Sequence, residues 1–339
     1  SAVSMAASAE YFLPPDIIKR FDVVGIDPRG TNFSDNVACW RNLGEQTNAL
    51  LPLSEHAYPV SVAERTDFIN ASKAFGQACS TTGQPLSASM STANVARDMD
   101  VVRRTLGDSK LTYLGFSYGT YLGNVYANLY PDRVRAIVID GVVDPAGWQG
   151  RSATANIPQT QRIASGDGAW KALREILTRC GKKGPKYCHL AQRSSDPRAL
   201  FDRFSKKLKA TPIDLGDGWV LDYPTVMSLL LSDLYSSDAW VWVDMDIDAL
   251  IELQKHPVTS AERKAWNAAK KHLTKRFKDF EDLKSADERK LAQLAKAPGF
   301  SYPYDNSPEA FQSVLCTDGL NPADASAWVQ AGRNAETTG

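Results

Sequence analysis

The chain has 339 residues, 43% of them hydrophobic and 23% charged, enough to bury the core of one large domain or of a core domain with an insertion. Its 39 basic side chains balance 39 acidic ones, so neither nucleic acid nor another polyanion is indicated as a partner. The longest apolar runs, such as Val134 to Val143, are broken by Arg135, Asp140 and Gly141 and fall short of the ~20 residues needed to span a bilayer.

Residues 20–27 read Arg-Phe-Asp-Val-Val-Gly-Ile-Asp and run into Pro28-Arg29-Gly30, a pattern that predicts a buried parallel strand feeding a turn. Residues 31–89 read as loop-rich. A helix is predicted from about Thr92, because Val95, Met99, Val102 and Leu106 recur at helical steps, with Ser91 or Thr92 to cap its start and Gly107 to end it. Residues 110–116 predict a second strand, Tyr118 to Leu129 a helix stopping before Pro131, and Val134 to Val143 a third strand. Strand, helix, strand, helix, strand in this order implies an α/β fold with a parallel sheet over residues 1–145.

After Asp144-Pro145 the pattern turns helical: 169–178, 197–209, 224–234, 239–254 and 260–297 each predict a helix, and no buried strand is expected among them. Residues 146–300 therefore read as a helical insertion, a lid, with 301–339 returning towards the core. The charges of the last helix read as a solvated face, and Trp219, Trp240 and Trp242 as core residues rather than ligand contacts.

The five cysteines include no C-x-x-C pair, and Cys188 beside His189 is too little for a metal site. Cys180 and Cys188 enclose a short basic loop that a local disulfide would close, and Cys39 and Cys79 flank a segment that a second would staple, leaving Cys316 unpaired. Reduced, buried thiols are the alternative.

Gly115-Phe116-Ser117-Tyr118-Gly119 fits G-x-S-x-G directly between a strand and a helix, the setting that puts a serine hydroxyl on a tight elbow at the C-terminal end of a sheet. Ser117 is thus the expected nucleophile, and Gly115 and Gly119 leave room for the turn. The Tyr118 backbone N–H, at the helix N-terminus, is the expected oxyanion donor. A second donor normally comes from a glycine-rich loop after an earlier strand.

With Phe21-Asp-Val-Val-Gly-Ile-Asp-Pro-Arg-Gly30, Tyr113-Leu-Gly-Phe-Ser-Tyr-Gly-Thr-Tyr-Leu-Gly123, Pro131-Asp-Arg-Val, Ile139-Asp-Gly-Val-Val-Asp-Pro145 and Val314-Leu-Cys-Thr-Asp318, the chain resembles the secreted tripeptidyl aminopeptidases of the α/β-hydrolase superfamily, relatives of prolyl aminopeptidases. The resemblance spans essentially the whole chain and is strongest over Phe21 to Asp144. It implies an exported serine exopeptidase that takes peptides with a free N-terminus, with a helical lid after the sixth core strand and no metal or organic cofactor. It also implies a Gly-Gly-Pro-Gly oxyanion loop ahead of Ser1, a partner cysteine for Cys316 farther along, and final strands carrying the triad Asp and His beyond Gly339. The first and last core strands are therefore expected to lie outside these 339 residues, which are expected to be inactive alone and to expose an apolar sheet edge.

Within the chain, none of His189, His256 and His272 follows a strand with an acid upstream, as a triad histidine should. Asp140 and Asp144, at the end of the third strand, are conceivable triad acids but are expected to be structural, Asp27 and Arg29 to brace a salt-bridged turn, and Asp318 to face a substrate α-ammonium. A carboxylesterase of the same fold and a non-catalytic binding module are the rival readings.

Overall fold

The computed structural model describes residues 2–55, 59, 61–216, 218–294 and 305–338. They form two compact units, Ser1–Ile163 with Leu291–Gly339, and Ala164–Lys290.

The first unit opens with short helices α1 (Ala2–Ala7) and α2 (Pro15–Ile18). The strand expected over residues 20–27 is not formed: the segment pairs with no strand, and Phe21, Val23 and Val24 are exposed. Alternating apolar residues make a strand only when a neighbour satisfies the backbone, and here the segment is instead pinned by Asp27, whose carboxylate accepts from the Ala2, Val3 and Phe33 amides.

The segment expected as loop holds two helices, α3 (Leu43–Glu55) and α4 (Val62–Thr81). Both bury little, only Gln46 in α3 and Ala71 and Phe75 in α4, so no apolar stripe announces them. The start of α4 is fixed by a reciprocal cap between Ser61 and Glu64. The Cys39–Cys79 disulfide ties its last turn back to the loop before α3.

Helix α5 (Thr92–Thr105) is capped by Ser91, as expected. It packs Val95, Ala96 and Met99 against Leu122 and Tyr126 of α6 (Tyr118–Leu129). Strands β1 (Leu111–Phe116) and β2 (Val134–Asp140) pair in parallel across α6, with Gly115 opposite Ile139. β2 stops at Asp140 rather than Val143 because Gly141 turns the chain at φ 68°. Leu111, Tyr113 and Val134 face the α5–α6 layer, while Leu114, Phe116 and Val138 remain exposed, so these strands are half-covered rather than buried.

After β2 come α7 (Pro145–Gln149) and α8 (Gln159–Arg162). The returning segment contributes α15 (Ser307–Asp318) and α16 (Ser326–Thr338), numbered after the helices of the second unit. Buried Asn306 donates to the Gly30 and Val37 carbonyls, and Gln46 donates to buried Glu309, so α15 is seated on the turn at residues 28–37.

The second unit holds α9 (Ser165–Lys183), α10 (His189–Arg193), α11 (Pro197–Ala210), a hairpin of β3 (Ile213–Asp214) and β4 (Val220–Leu221), α12 (Tyr223–Asp233), α13 (Ala239–Leu253) and all but the last turn of α14 (Ser260–Leu294). The hairpin was not expected, since strands of two residues leave no readable pattern. The Cys180–Cys188 disulfide closes the basic loop after α9. Leu173, Leu177, Phe201, Phe204, Leu230, Ile247 and Leu273 belong to the core, with Trp219 packed against it; Trp240 is exposed. The last residues of the expected 260–297 helix lie outside the described residues. No helix among the described residues is long and apolar enough to cross a membrane.

Candidate active site

Ser117 joins the end of β1 to the first turn of α6 with φ 51° and ψ −121°, a conformation that a residue with a side chain adopts only where its surroundings over-determine it. Three bonds do so. The Ser117 amide donates to the Asp140 carbonyl at the end of β2 (3.0 Å), and the Ser117 carbonyl accepts from both the amide (2.9 Å) and the hydroxyl (2.6 Å) of Thr120. The Thr120 hydroxyl in turn accepts from the Val143 amide at 3.0 Å, so one buried side chain ties the elbow to the loop after β2. The Ser117 side chain is left exposed at the carboxyl end of the sheet.

The glycines are required by the same turn. A Cβ on Gly115 would lie 2.4 Å from the Gly119 carbonyl oxygen, and one on Gly119 would lie 3.2 Å from the Tyr113 hydroxyl. That hydroxyl donates to the Gly119 carbonyl at 2.8 Å, and burial pushes the Tyr113 pKa up to about 12, which keeps it a neutral donor.

Tyr118 begins α6, so its backbone N–H is among those with no acceptor inside the helix and lies at the positive end of the helix dipole. The Tyr118 ring leans on Trp148 of α7 with centroids 5.5 Å apart, and its hydroxyl lies 2.6 Å from Thr92 Oγ1. Burial pushes the Tyr118 pKa up.

Asp318, expected to face a substrate ammonium, is found at the end of this chain of contacts. Its carboxylate accepts from the Thr92 amide (2.6 Å), the Thr92 hydroxyl (2.5 Å) and the Trp148 indole N–H (2.9 Å). These three donors take most of the four acceptor positions that a carboxylate offers. The sequence offered Thr92 only as an alternative cap of α5 and assigned no site role to Thr120, Tyr113 or Trp148; of these, only Thr120, three residues past Ser117 in the same turn, carried a local signal.

The Asp140 backbone carbonyl holds Ser117, and Asp144 caps α7 through the Ala146 and Gly147 amides. Arg29 forms a bidentate pair with Asp98 rather than with Asp27, whose carboxylate holds backbone amides instead. His189, His256 and His272 all belong to the second unit. His189 Nδ1 meets Asp244, and His272 Nε2 meets Asp246. Cys180, Cys188 and Asp244 cluster there, but the two sulfurs are bonded to each other and Asp244 accepts from the first amides of α10, so the group is a staple and a helix cap.

The α/β hydrolase fold family model matches residues 5–159. The chain is 40% identical to serine protease Hip1 of Mycobacterium tuberculosis (strain ATCC 25618 / H37Rv) over 146 residues, 43% of this chain and 28% of that protein. It is 32% identical to the tripeptidyl aminopeptidase of Streptomyces lividans over 225 residues, 66% of this chain and 38% of that protein. Carboxylesterase B of Mycobacterium tuberculosis (strain ATCC 25618 / H37Rv) is 30% identical over 336 residues, 98% of this chain and 56% of that protein. The matches thus span from about a quarter to about half of these relatives' own length. With the serine elbow in its strand-to-helix setting, they show an α/β hydrolase fold domain over residues 5–159, in a chain similar to a tripeptidyl aminopeptidase.

Proposed function

We propose that the chain carries the nucleophile of an exported serine exopeptidase that releases short peptides from free N-termini. The observation that supports this most is the Ser117 elbow, in which a serine is held at φ 51° by the Thr120 and Asp140 contacts. In the proposed reaction the Ser117 hydroxyl attacks the scissile carbonyl while a general base takes its proton. The Tyr118 N–H donates to the oxygen that becomes negative, and water then releases the acyl-enzyme. This acyl transfer calls on no metal or organic cofactor.

The described residues of the unit that carries Ser117 include no histidine, and its one histidine in sequence, His56, lies outside them. The family resemblance puts the triad Asp and His beyond Gly339, so the 339 residues alone are proposed to be inactive. The same resemblance makes the helical second unit the inserted lid. The two disulfides suit an oxidising, extracellular setting.

A carboxylesterase is the second reading, favoured by the match to carboxylesterase B over 98% of the chain. Turnover by the full-length gene product of a tripeptide anilide, its N-acetylated form and a simple aryl ester separates the two. An exopeptidase cleaves the free tripeptide and loses it on acetylation, whereas an esterase prefers the ester and is indifferent to the amine. Ser117→Ala abolishes turnover under either reading, and unchanged turnover in that variant overturns both.

A further inference from the structure

Asp318 closes α15, 226 residues along the chain from Thr92, yet its carboxylate sits at the opening turn of α5, where it accepts the Thr92 amide. A carboxylate is favoured at a helix N-terminus by the unpaired amides and the dipole there. Its other oxygen accepts from both the Thr92 hydroxyl and the Trp148 indole. A threonine hydroxyl has a single proton, so with that proton given to Asp318 the bond between Thr92 and Tyr118 must be donated by the tyrosine. The direction of the relay is therefore fixed, from Tyr118 to Thr92 to Asp318. Trp148 closes the ring, because its indole donates to the same carboxylate while its face supports the Tyr118 ring.

This arrangement acts on the elbow from the side that Ser117's own contacts do not reach. The two Thr120 bonds hold the Ser117 carbonyl end of the peptide unit that carries the oxyanion N–H, and the tether of the Tyr118 side chain holds its other end, at the Tyr118 Cα. Trp148 and Thr92 are buried, and Tyr118 is largely covered, so the tether holds with little competition from water.

We infer that Asp318 is a positioning residue for the acyl-transfer site, which through Thr92 and Trp148 locks the Tyr118 side chain and so aims the Tyr118 N–H at the developing oxyanion. The inference rests on the reading of Ser117 as nucleophile and Tyr118 N–H as oxyanion donor. It replaces contact with the substrate ammonium by a role that operates through another residue. It also makes α15 of the returning segment part of the site's architecture.

The test uses the full-length gene product with Asp318→Asn, Tyr118→Phe and the double variant, with Thr92→Val in reserve should Asp318→Asn fail to fold. Active sites are counted by fluorophosphonate titration, and kcat and KM are measured on a free tripeptide anilide and on an uncharged acyl ester. Each single variant is expected to lower kcat per titrated site by on the order of tenfold on both substrates, less than the hundredfold or more of losing an oxyanion donor outright, with KM little changed. The double variant is expected to fall no further than the worse single, because both break one relay. A rise in KM confined to the free peptide would show that Asp318 contacts the ammonium and would overturn the inference. Unchanged kcat per titrated site with fewer sites would reduce Asp318 to a structural brace and overturn it as well. If the wild-type protein is not labelled at Ser117, the active-site reading itself fails and the inference falls with it.

Discussion

The Thr120 hydroxyl donates to the Ser117 carbonyl at 2.6 Å and accepts from the Val143 amide at 3.0 Å, so the side chain three residues past the nucleophile holds both the elbow and the loop beside it. Thr120→Val keeps the shape and removes both bonds, leaving the Val143 amide without this acceptor and the Ser117 carbonyl with the residue-120 amide alone. We expect a loss of about 1–3 kcal/mol in the unfolding free energy and slower reaction of Ser117 with a fluorophosphonate. Thr120→Ser, which keeps the hydroxyl, should restore most of both, as read by urea melts and labelling rates.

The two elbow glycines should not be equally sensitive. Gly115→Ala brings a methyl to 2.4 Å from a backbone oxygen that cannot swing away, and Gly119→Ala brings one to 3.2 Å from the end of the Tyr113 side chain, which can shift a little. The first is expected to cost about 3 kcal/mol or more, and the second about 1 kcal/mol together with a weakened bond from Tyr113 to the Gly119 carbonyl. Chemical denaturation of the two variants ranks them directly.

The disulfides close loops of different length, with a sequence separation of 40 for Cys39–Cys79 and of 8 for Cys180–Cys188. On chain entropy alone, replacing the first pair by serine should destabilise its unit by about 4 kcal/mol and replacing the second by about 2.5 kcal/mol. Melts of the two double variants, each followed by a probe in its own unit, would check the order.

Much of the elbow was legible because its signal is local. Gly115, Ser117 and Gly119 lie within five residues, and α6 and β1 were placed to within a residue by the apolar run, Pro131 and the glycines. What surrounds the elbow was not legible. Trp148 and Asp318 meet Tyr118 and Thr92 through folding of distant segments, and no spacing in the sequence encodes a contact across 226 residues. The segment 20–27 fails for the opposite reason: its pattern is that of a strand, but pattern supplies only the side chains, and pairing supplies the strand. Helices α3 and α4 were missed because helices that bury so few residues show no apolar stripe.

A pH-dependence is built into the second unit. Asp233 of α12 and Asp246 of α13 are 2% and 0% exposed and share the guanidinium of Arg276 on α14, while His272 on the same helix meets Asp246. Burial, and then the neighbouring Asp246 carboxylate, push the Asp233 pKa up from 3.8 to about 7. The folded state thus holds a proton that the unfolded chain releases. The stabilisation it gives is complete below the unfolded value and is lost as pH rises through the folded one. Thermal melts should show this unit more stable at pH 5 than at pH 8. Asp233→Asn, which mimics the protonated form, should flatten that dependence.

The central claim is that Ser117 is the nucleophile of a serine hydrolase, and the most direct measurement is fluorophosphonate labelling of the full-length gene product followed by peptide mapping. One modified peptide, containing Ser117, is expected, with no labelling after Ser117→Ala. Labelling that persists in the alanine variant, or that maps to another serine, would contradict it.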